Sequence, residues 1–222
     1  MQQVIIVGNA ELGSIMYQYL VRDGRYSPAG FAADREHIAC PTLHELPVLE
    51  LEAVLGAAKY QHHTFLIAVG YSNLLRGRES MFRRIQAAHR EVLQYIHPDA
   101  KVYSSHLGEG VIVMPNAVVD VGAIIGNNSV VWANGTVAHG AVVAENCWLA
   151  SGAVLSGNCR VGCNTFVGVN ASVTNHVSVG RHNIIGANAL VAKSTSDHEV
   201  TLCGQRGKYR LNSDQFVQLT KL

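Results

Sequence analysis

From Leu107 to Val191 an aliphatic residue returns every six positions. The series is Leu107, Val113, Val119, Ile125, Val131, Val137, Val143, Leu149, Leu155, Val161, Val167, Val173, Val179, Ile185 and Val191. Four residues after each comes a smaller side chain, among them Ala117, Ala123, Ser129, Gly135, Ala141, Cys147, Ala153, Cys159, Thr165 and Ala171. An amphipathic helix would space its apolar residues by three and four, and a half-buried strand by two. A sustained period of six is the signature of a parallel β-helix, in which each unit is one short strand plus a turn and three units close a triangular coil. The aliphatic residue points into the prism and the small residue fits where the interior narrows. No coil buries its own core, so stability comes from stacking on the next. The fifteen rungs predict about five coils, spaced by the strand-pairing distance of about 4.8 Å. Residues 18 apart then fall in one column, which sets His139 beneath Gly157, Asn175 and Lys193. As the second residue after Val137, His139 is expected at a turn with its side chain facing outward.

The first hundred residues follow another pattern. "VIIVG", Val4 to Gly8, reads as a short buried strand. "NAELG" turns from it into a helix with Leu12, Ile15, Met16, Tyr19 and Leu20 on one face. A second buried run, "FLIAVG", ends at Gly70 and is followed by an amphipathic helix carrying Met81, Ile85 and Ala88. Alternating strands and helices imply a parallel sheet, with ligands outside the carboxyl ends of its strands. Gly8 to Gly13 is a partial glycine fingerprint. It lacks the middle glycine of the dinucleotide motif and the lysine of a P-loop, so it also reads as a plain strand-to-helix turn. The fold class is therefore α/β plus β-helix: a Rossmann-like domain over 1–96, a β-helix over 97–194, and a tail over 195–222.

Composition narrows the picture. The formal net charge of +1 gives no reason to expect nucleic acid or an anionic membrane as partner. No apolar run reaches the length of a membrane span. The start, "MQQVIIVGNAELG", lacks the charged and long apolar regions of a signal peptide. Five cysteines at irregular spacing suit neither a disulfide framework nor a zinc knuckle, and reduced thiols imply a cytoplasmic setting.

With its anchors "VIIVGNAELG", "GFAAD", "FLIAVG", "IHPDA" and the hexapeptide series around His139, most of the chain resembles the bacterial sugar acetyltransferases that acylate sialic acid or nucleotide-linked 4-amino sugars. The resemblance implies a left-handed β-helix, a homotrimer, acetyl-CoA as cosubstrate held between two prisms, and a small-molecule sugar, nucleotide-linked, held by the amino-terminal domain. It implies His139 as general base and the Gly157 N–H as the donor facing the thioester oxygen. Contacts to coenzyme A carry over to Trp148, Gly157, Val169 and Ala187, and sugar-nucleotide contacts to Ala10, Glu11, Leu12, Asp34 and Gly70. A base and an oxyanion donor one coil apart on one corner would flank a single carbonyl, which agrees with the stacking read from the period.

The chain departs from that family at several positions. Gly140 stands where an acidic residue commonly follows the base. Trp148 replaces a second histidine, and Trp132 an asparagine. Glu11-Leu12-Gly13 replaces a glycine-histidine-glycine loop, and Ala33-Asp34 an acidic pair. The expected activity is N-acetylation of an amino sugar. O-acetylation of a sialic acid type, and a non-catalytic trimer that binds a sugar nucleotide, are the alternatives. His139, His176 and His182 also invite a zinc reading. But His139 comes two places after its aliphatic and the others three, which turns them in different directions and leaves no metal in the expectation. Cys147 and Cys159 are expected in the core. Arg76, Arg78, Arg83 and Arg84 are expected mostly in solvent, with one near Gly70 available to an anion. Gly204 and Lys208 in the tail would cover the coenzyme or cap the prism.

Overall fold

A computed structural model describes residues 1–204 and 210–220. The chain forms two compact units. Met1–Gly70 with Gly77–Gln94 makes the first, and Tyr71–Arg76 with Tyr95–Leu222 the second.

In the first unit, β1 (Gln2–Val7), β2 (Tyr26–Ala33), β3 (Thr42–Leu43), β4 (Leu46–Glu50) and β5 (Thr64–Ile67) form one sheet in the order β3-β4-β2-β1-β5. All pairs are parallel except the hairpin β3–β4. Helices α1 (Glu11–Asp23), α2 (Leu51–Gly56) and α3 (Arg76–Ala87) accompany it. β1 is the central strand, and Val4, Ile5, Ile6 and Val7 are wholly buried, as expected of a parallel strand covered on both faces. Two glycines let the first turn close. A side-chain carbon on Gly8 would lie 2.4 Å from the Ala68 carbonyl oxygen, and one on Gly13 2.2 Å from that of Gly8. The partial fingerprint thus serves close helix-to-strand contact.

The second unit is a left-handed parallel β-helix. Its two-residue strands stack into three flat sheets of five, six and seven strands. Residues 18 apart pair in register, as in Val137 with Leu155 and Val143 with Val161. The aliphatic series lies inside: from Val113 to Val191 every member is 3% exposed or less. Burial of each valine is worth about 1.5–3 kcal/mol, realised only through the coils above and below. Rungs at Ile96 and Val102 precede the repeat, and the strand Val200–Thr201 follows it. Spacings of five and ten residues at these ends interrupt the six-residue count, which is why periodicity did not extend to them.

The corners carry a second period. Every sixth residue from Gly110 to Asn188 is left-handed, with φ between 54° and 70°, and each is Asn, Gly or His. This conformation costs a residue with a β-carbon roughly 1–2 kcal/mol, except that Asn and His tolerate it better. His176 (φ 61°) and His182 (φ 54°) occupy such corners, which gives both a structural reason for their presence. Among the described residues no group of three or more His, Cys, Asp or Glu could hold a metal ion.

Inside one corner Ser129, Cys147, Thr165 and Asn183 stack in a buried column. The Ser129 hydroxyl donates to the Ala144 carbonyl at 2.9 Å, the Cys147 thiol to Gly162 at 3.2 Å and the Thr165 hydroxyl to Gly180 at 3.1 Å. Burial pushes the Cys147 thiol up to about 12 and that of Cys159 to about 11.

Two outcomes test this account. Iodoacetamide at pH 8 is expected to label the exposed Cys40 and Cys203 and to spare Cys147 and Cys159 until denaturant is added, read by peptide mass spectrometry. His176→Asn is expected to keep the melting temperature within about 2 °C. His176→Val is expected to cost about 1–2 kcal/mol from the left-handed β-branched residue, read by denaturant titration.

Candidate active site

His139 and Gly157 meet as the column predicts. The carbonyl of His139 accepts from the Asn158 N–H at 3.0 Å. The imidazole stands against Gly157 with Nε2 and Cε1 nearest: a side-chain carbon at Gly157 would fall 2.5 Å from Nε2 and 2.6 Å from Cε1. The ring therefore fills the space that any other residue at 157 would occupy. His139 is exposed. The Gly157 carbonyl accepts from His176, while its N–H makes no hydrogen bond among the described residues. A basic ring nitrogen and an unused backbone donor thus share one corner.

Gly140 follows with φ 65°, and a side-chain carbon there would lie 2.4 Å from Oδ1 of Asn158. Glycine takes this left-handed conformation without steric cost, whereas a larger residue here would have to push the Asn158 carboxamide aside. The imidazole has no hydrogen-bonding side chain beside it among the described residues.

Val169 and Ala187 lie one coil apart, with the Asn188 N–H donating to Val169 at 2.8 Å, and both are exposed. They sit on the corner before the sheet that contains Thr136–Val137, whereas His139 sits on the corner after it. One chain therefore brings His139 and Gly157 together, and Val169 and Ala187 together, on separate edges of one sheet.

Trp148 is only 4% exposed. It stacks on Trp132 with ring centroids 5.5 Å apart and planes at 22°. Tyr71 packs on Trp148 at 5.3 Å and on Phe166 at 4.7 Å. The two tryptophans are thus one aromatic wall. The place of Tyr71 in this wall was not legible in the sequence, since its position depends on a contact across more than 70 residues.

In the first unit, Ala10, Leu12, Asp34 and Gly70 line a cleft of about 450 Å³ at the carboxyl ends of β1, β2 and β5, together with Gly8, Asn9, His37, Ser80 and others. Glu11 is exposed and is not part of the lining. The Asn9 side chain donates to the His37 carbonyl at 2.8 Å and ties two lips of the cleft. Asp34 pairs with Arg84 at 2.7 Å, and Arg84 also pairs with Glu52 at 2.8 Å.

Arg76 and Arg83 are exposed as expected, whereas Arg78 is not. Arg78 is fully buried and donates to the Ile67 carbonyl at 2.6 Å. Burial lowers its guanidinium to about 9, so it stays charged at neutral pH. Arg76 pairs with Asp214 at 3.1 Å and Arg83 with Glu79. None of these arginines lines the cleft. Gly204 is exposed on the tail, and Lys208 lies outside the described residues.

The sequence matches no protein-family model and no curated protein. Solved structures do match. One is the acetyltransferase domain of PglB from Neisseria gonorrhoeae, with a TM-score of 0.84 and 24% identity over 94% of this chain and all of that one. The same domain is also solved in complex with acetyl coenzyme A. A second is a histidine-to-alanine variant of GDP-perosamine N-acetyltransferase from Caulobacter crescentus, in complex with CoA and GDP-perosamine. It has a TM-score of 0.83 and 24% identity, covering 94% of this chain and 97% of that one. A third is WeeI from Acinetobacter baumannii, with a TM-score of 0.56 and 15% identity over 94% of this chain and all of that one. The chain has the architecture these structures share: a small α/β unit followed by a hexapeptide β-helix.

Gly157→Ala tests the pairing on the corner. The added methyl must displace the imidazole, so the His139 ring resonances are expected to shift by more than 0.3 ppm, an order-of-magnitude expectation from the close packing of that ring, with melting temperature little changed.

Proposed function

We propose that this chain is an acetyl-CoA-dependent N-acetyltransferase of a nucleotide-linked amino sugar, acting as a homotrimer in the cytoplasm of a bacterium and serving surface-glycan synthesis. The observation that carries the reading is the His139 imidazole seated over Gly157, whose N–H is unused. The shared architecture supports it, since one matching structure is named as an acetyltransferase domain and holds acetyl coenzyme A, and another is named as a GDP-perosamine N-acetyltransferase and holds CoA and GDP-perosamine. The cleft at the strand ends of the first unit supports the sugar nucleotide, with Ala10, Leu12, Asp34 and Gly70 on its wall. Glu11 stays a weaker candidate for that contact.

In the proposed reaction the sugar amine attacks the thioester carbonyl carbon. The C–N bond forms, His139 takes the amine proton, and the Gly157 N–H stabilises the oxygen as it gains charge. The C–S bond then breaks, the proton held by His139 passes to the leaving sulfur, and CoA leaves as its thiol. No enzyme nucleophile is used. The coenzyme contacts Trp148, Val169 and Ala187. Because these lie towards the other edge of the sheet from His139, a groove between two copies brings both edges to one ligand, which favours the trimer.

A non-catalytic sugar-nucleotide binder is the second reading, favoured by the absence of any hydrogen-bonding partner for the His139 ring among the described residues. One experiment separates them. Calorimetry with acetyl-CoA is followed by assay with nucleotide-linked 4-amino sugars, on the parent chain and on His139→Ala. The enzyme reading expects kcat to fall about 10²–10⁴-fold with CoA affinity retained. Turnover unchanged in His139→Ala overturns the base assignment. Nucleotide-sugar binding without CoA binding or turnover favours the binder.

A further inference from the structure

Segment Tyr71–Arg76 leaves the first unit at Gly70 and re-enters it at Gly77, and both glycines line the strand-end cleft. The segment itself belongs to the second unit. Three consecutive residues in it are left-handed and none is glycine: Asn73 (φ 52°), Leu74 (φ 49°) and Leu75 (φ 66°). The Leu75 N–H closes this turn on the Tyr71 carbonyl at 3.2 Å. A left-handed turn of L-residues is disfavoured at every position. It persists only where surrounding contacts over-determine it, and such strain gathers at ligand clamps and switches.

Three contacts hold the turn on the prism. Tyr71 packs on Trp148 and Phe166. Leu74, 4% exposed, clusters with Ile184, Val200 and Val217. Arg76 pairs with Asp214 of the terminal helix, Ser213–Thr220. A cleft of about 250 Å³ lined by Asn73, Leu74, Arg76, Asp214, Val217 and Gln218 lies against the segment and leaves it room to shift.

We propose that Tyr71–Arg76 is a positioning strap. By chain connectivity it ties the Gly70 and Gly77 walls of the cleft to the aromatic wall around Trp148, so that filling the cleft changes the surroundings of Trp148. Tyr71 and Arg76 act through the strap as positioning residues. The identity of the cleft's ligand as a nucleotide rests on the proposed function, whereas the mechanical tie does not.

The sequence supplies its own reporter. The chain has two tryptophans, Trp132 and Trp148, both in the aromatic wall and neither in the first unit. UDP and GDP are titrated into the full chain, with binding measured by calorimetry and tryptophan emission recorded in parallel. The expected result is an emission change of at least about 10% that saturates at the calorimetric Kd, the size expected when a stacked aromatic contact is altered. In Tyr71→Ala the emission change is expected to be lost while nucleotide still binds, and Tyr71→Phe, which keeps the ring, is expected to restore it. Calorimetric binding with no emission change in the parent chain overturns the strap, as does a change that survives in Tyr71→Ala.

If neither nucleotide binds, the nucleotide reading of the cleft fails and a ligand-free measurement decides the strap. Hydrogen exchange at the cleft-lining amides of Ala68, Ser80 and Met81 is compared in the parent, Tyr71→Ala and Asp214→Asn. The strap expects exchange roughly tenfold faster in both variants, because loosening the far end frees the wall. Unchanged exchange overturns it.

Discussion

A triangular coil must turn three corners in 18 residues, and each corner demands one left-handed residue. That demand orders the second unit. It reserves the third place after each aliphatic from Leu107 to Ile185 for Asn, Gly or His, and it turns that residue's N–H down the column. Gly140 donates to Val121, Asn158 to His139 and His176 to Gly157, at 3.2, 3.0 and 3.2 Å. The residue just before, second after the aliphatic, stands at the apex. At His139 and Gly157 its N–H stays outside the ladder, and the His139 side chain is exposed. The fold therefore supplies outward side chains and unused backbone donors in vertical file, one per coil. A histidine stacked against a glycine occupies just two positions of such a file.

The same demand bears on Gly140, which follows His139. A residue at 140 must adopt φ near 65° and must also clear the Asn158 carboxamide. Glycine meets both conditions at no steric cost. The other departures have a common cause of a different kind. Trp132 and Trp148 stand where the resembled family carries asparagine and histidine. Yet they stack on each other, with Tyr71 packed on Trp148, so the two positions form one apolar surface. A wall of this sort excludes water from whatever lies against it, and it strengthens nearby hydrogen bonds by lowering the local dielectric.

Much of the fold was legible because the β-helix repeats one solution. Fifteen aliphatics at strict spacing fix strand, turn and stacking register together, so His139 and Gly157 could be set in one column before any coordinate. The corner period of Asn, Gly and His was equally present in the sequence, and it accounts for His176 and His182 without a metal. What did not show was everything that depends on a unique contact between distant residues. Arg78 looks like any helical arginine until Ile67 is placed against it. Tyr71 looks like a loop residue until Trp148 and Phe166 arrive from the prism. Asp34 came to the cleft through the family resemblance alone, and Arg84 as its partner was not legible, since 50 residues separate them.

The glycines and the strap show two opposite uses of the backbone. At Gly8, Gly13 and Gly157 the missing side chain lets another group come closer than a β-carbon permits, and little energy is stored. At Leu74 and Leu75 bulky residues are held where glycine would be comfortable, at roughly 1–2 kcal/mol each. Burial of the Leu74 side chain against Ile184, Val200 and Val217 offsets that cost only while the segment stays seated. A glycine turn in the same place would be indifferent to the contacts on either side of it. A leucine turn is not, because losing any anchor releases the strain as well as the contact. The choice of residues thus makes the link between cleft and aromatic wall stiff when both ends are seated and compliant when one is free, which is the mechanical property a strap requires.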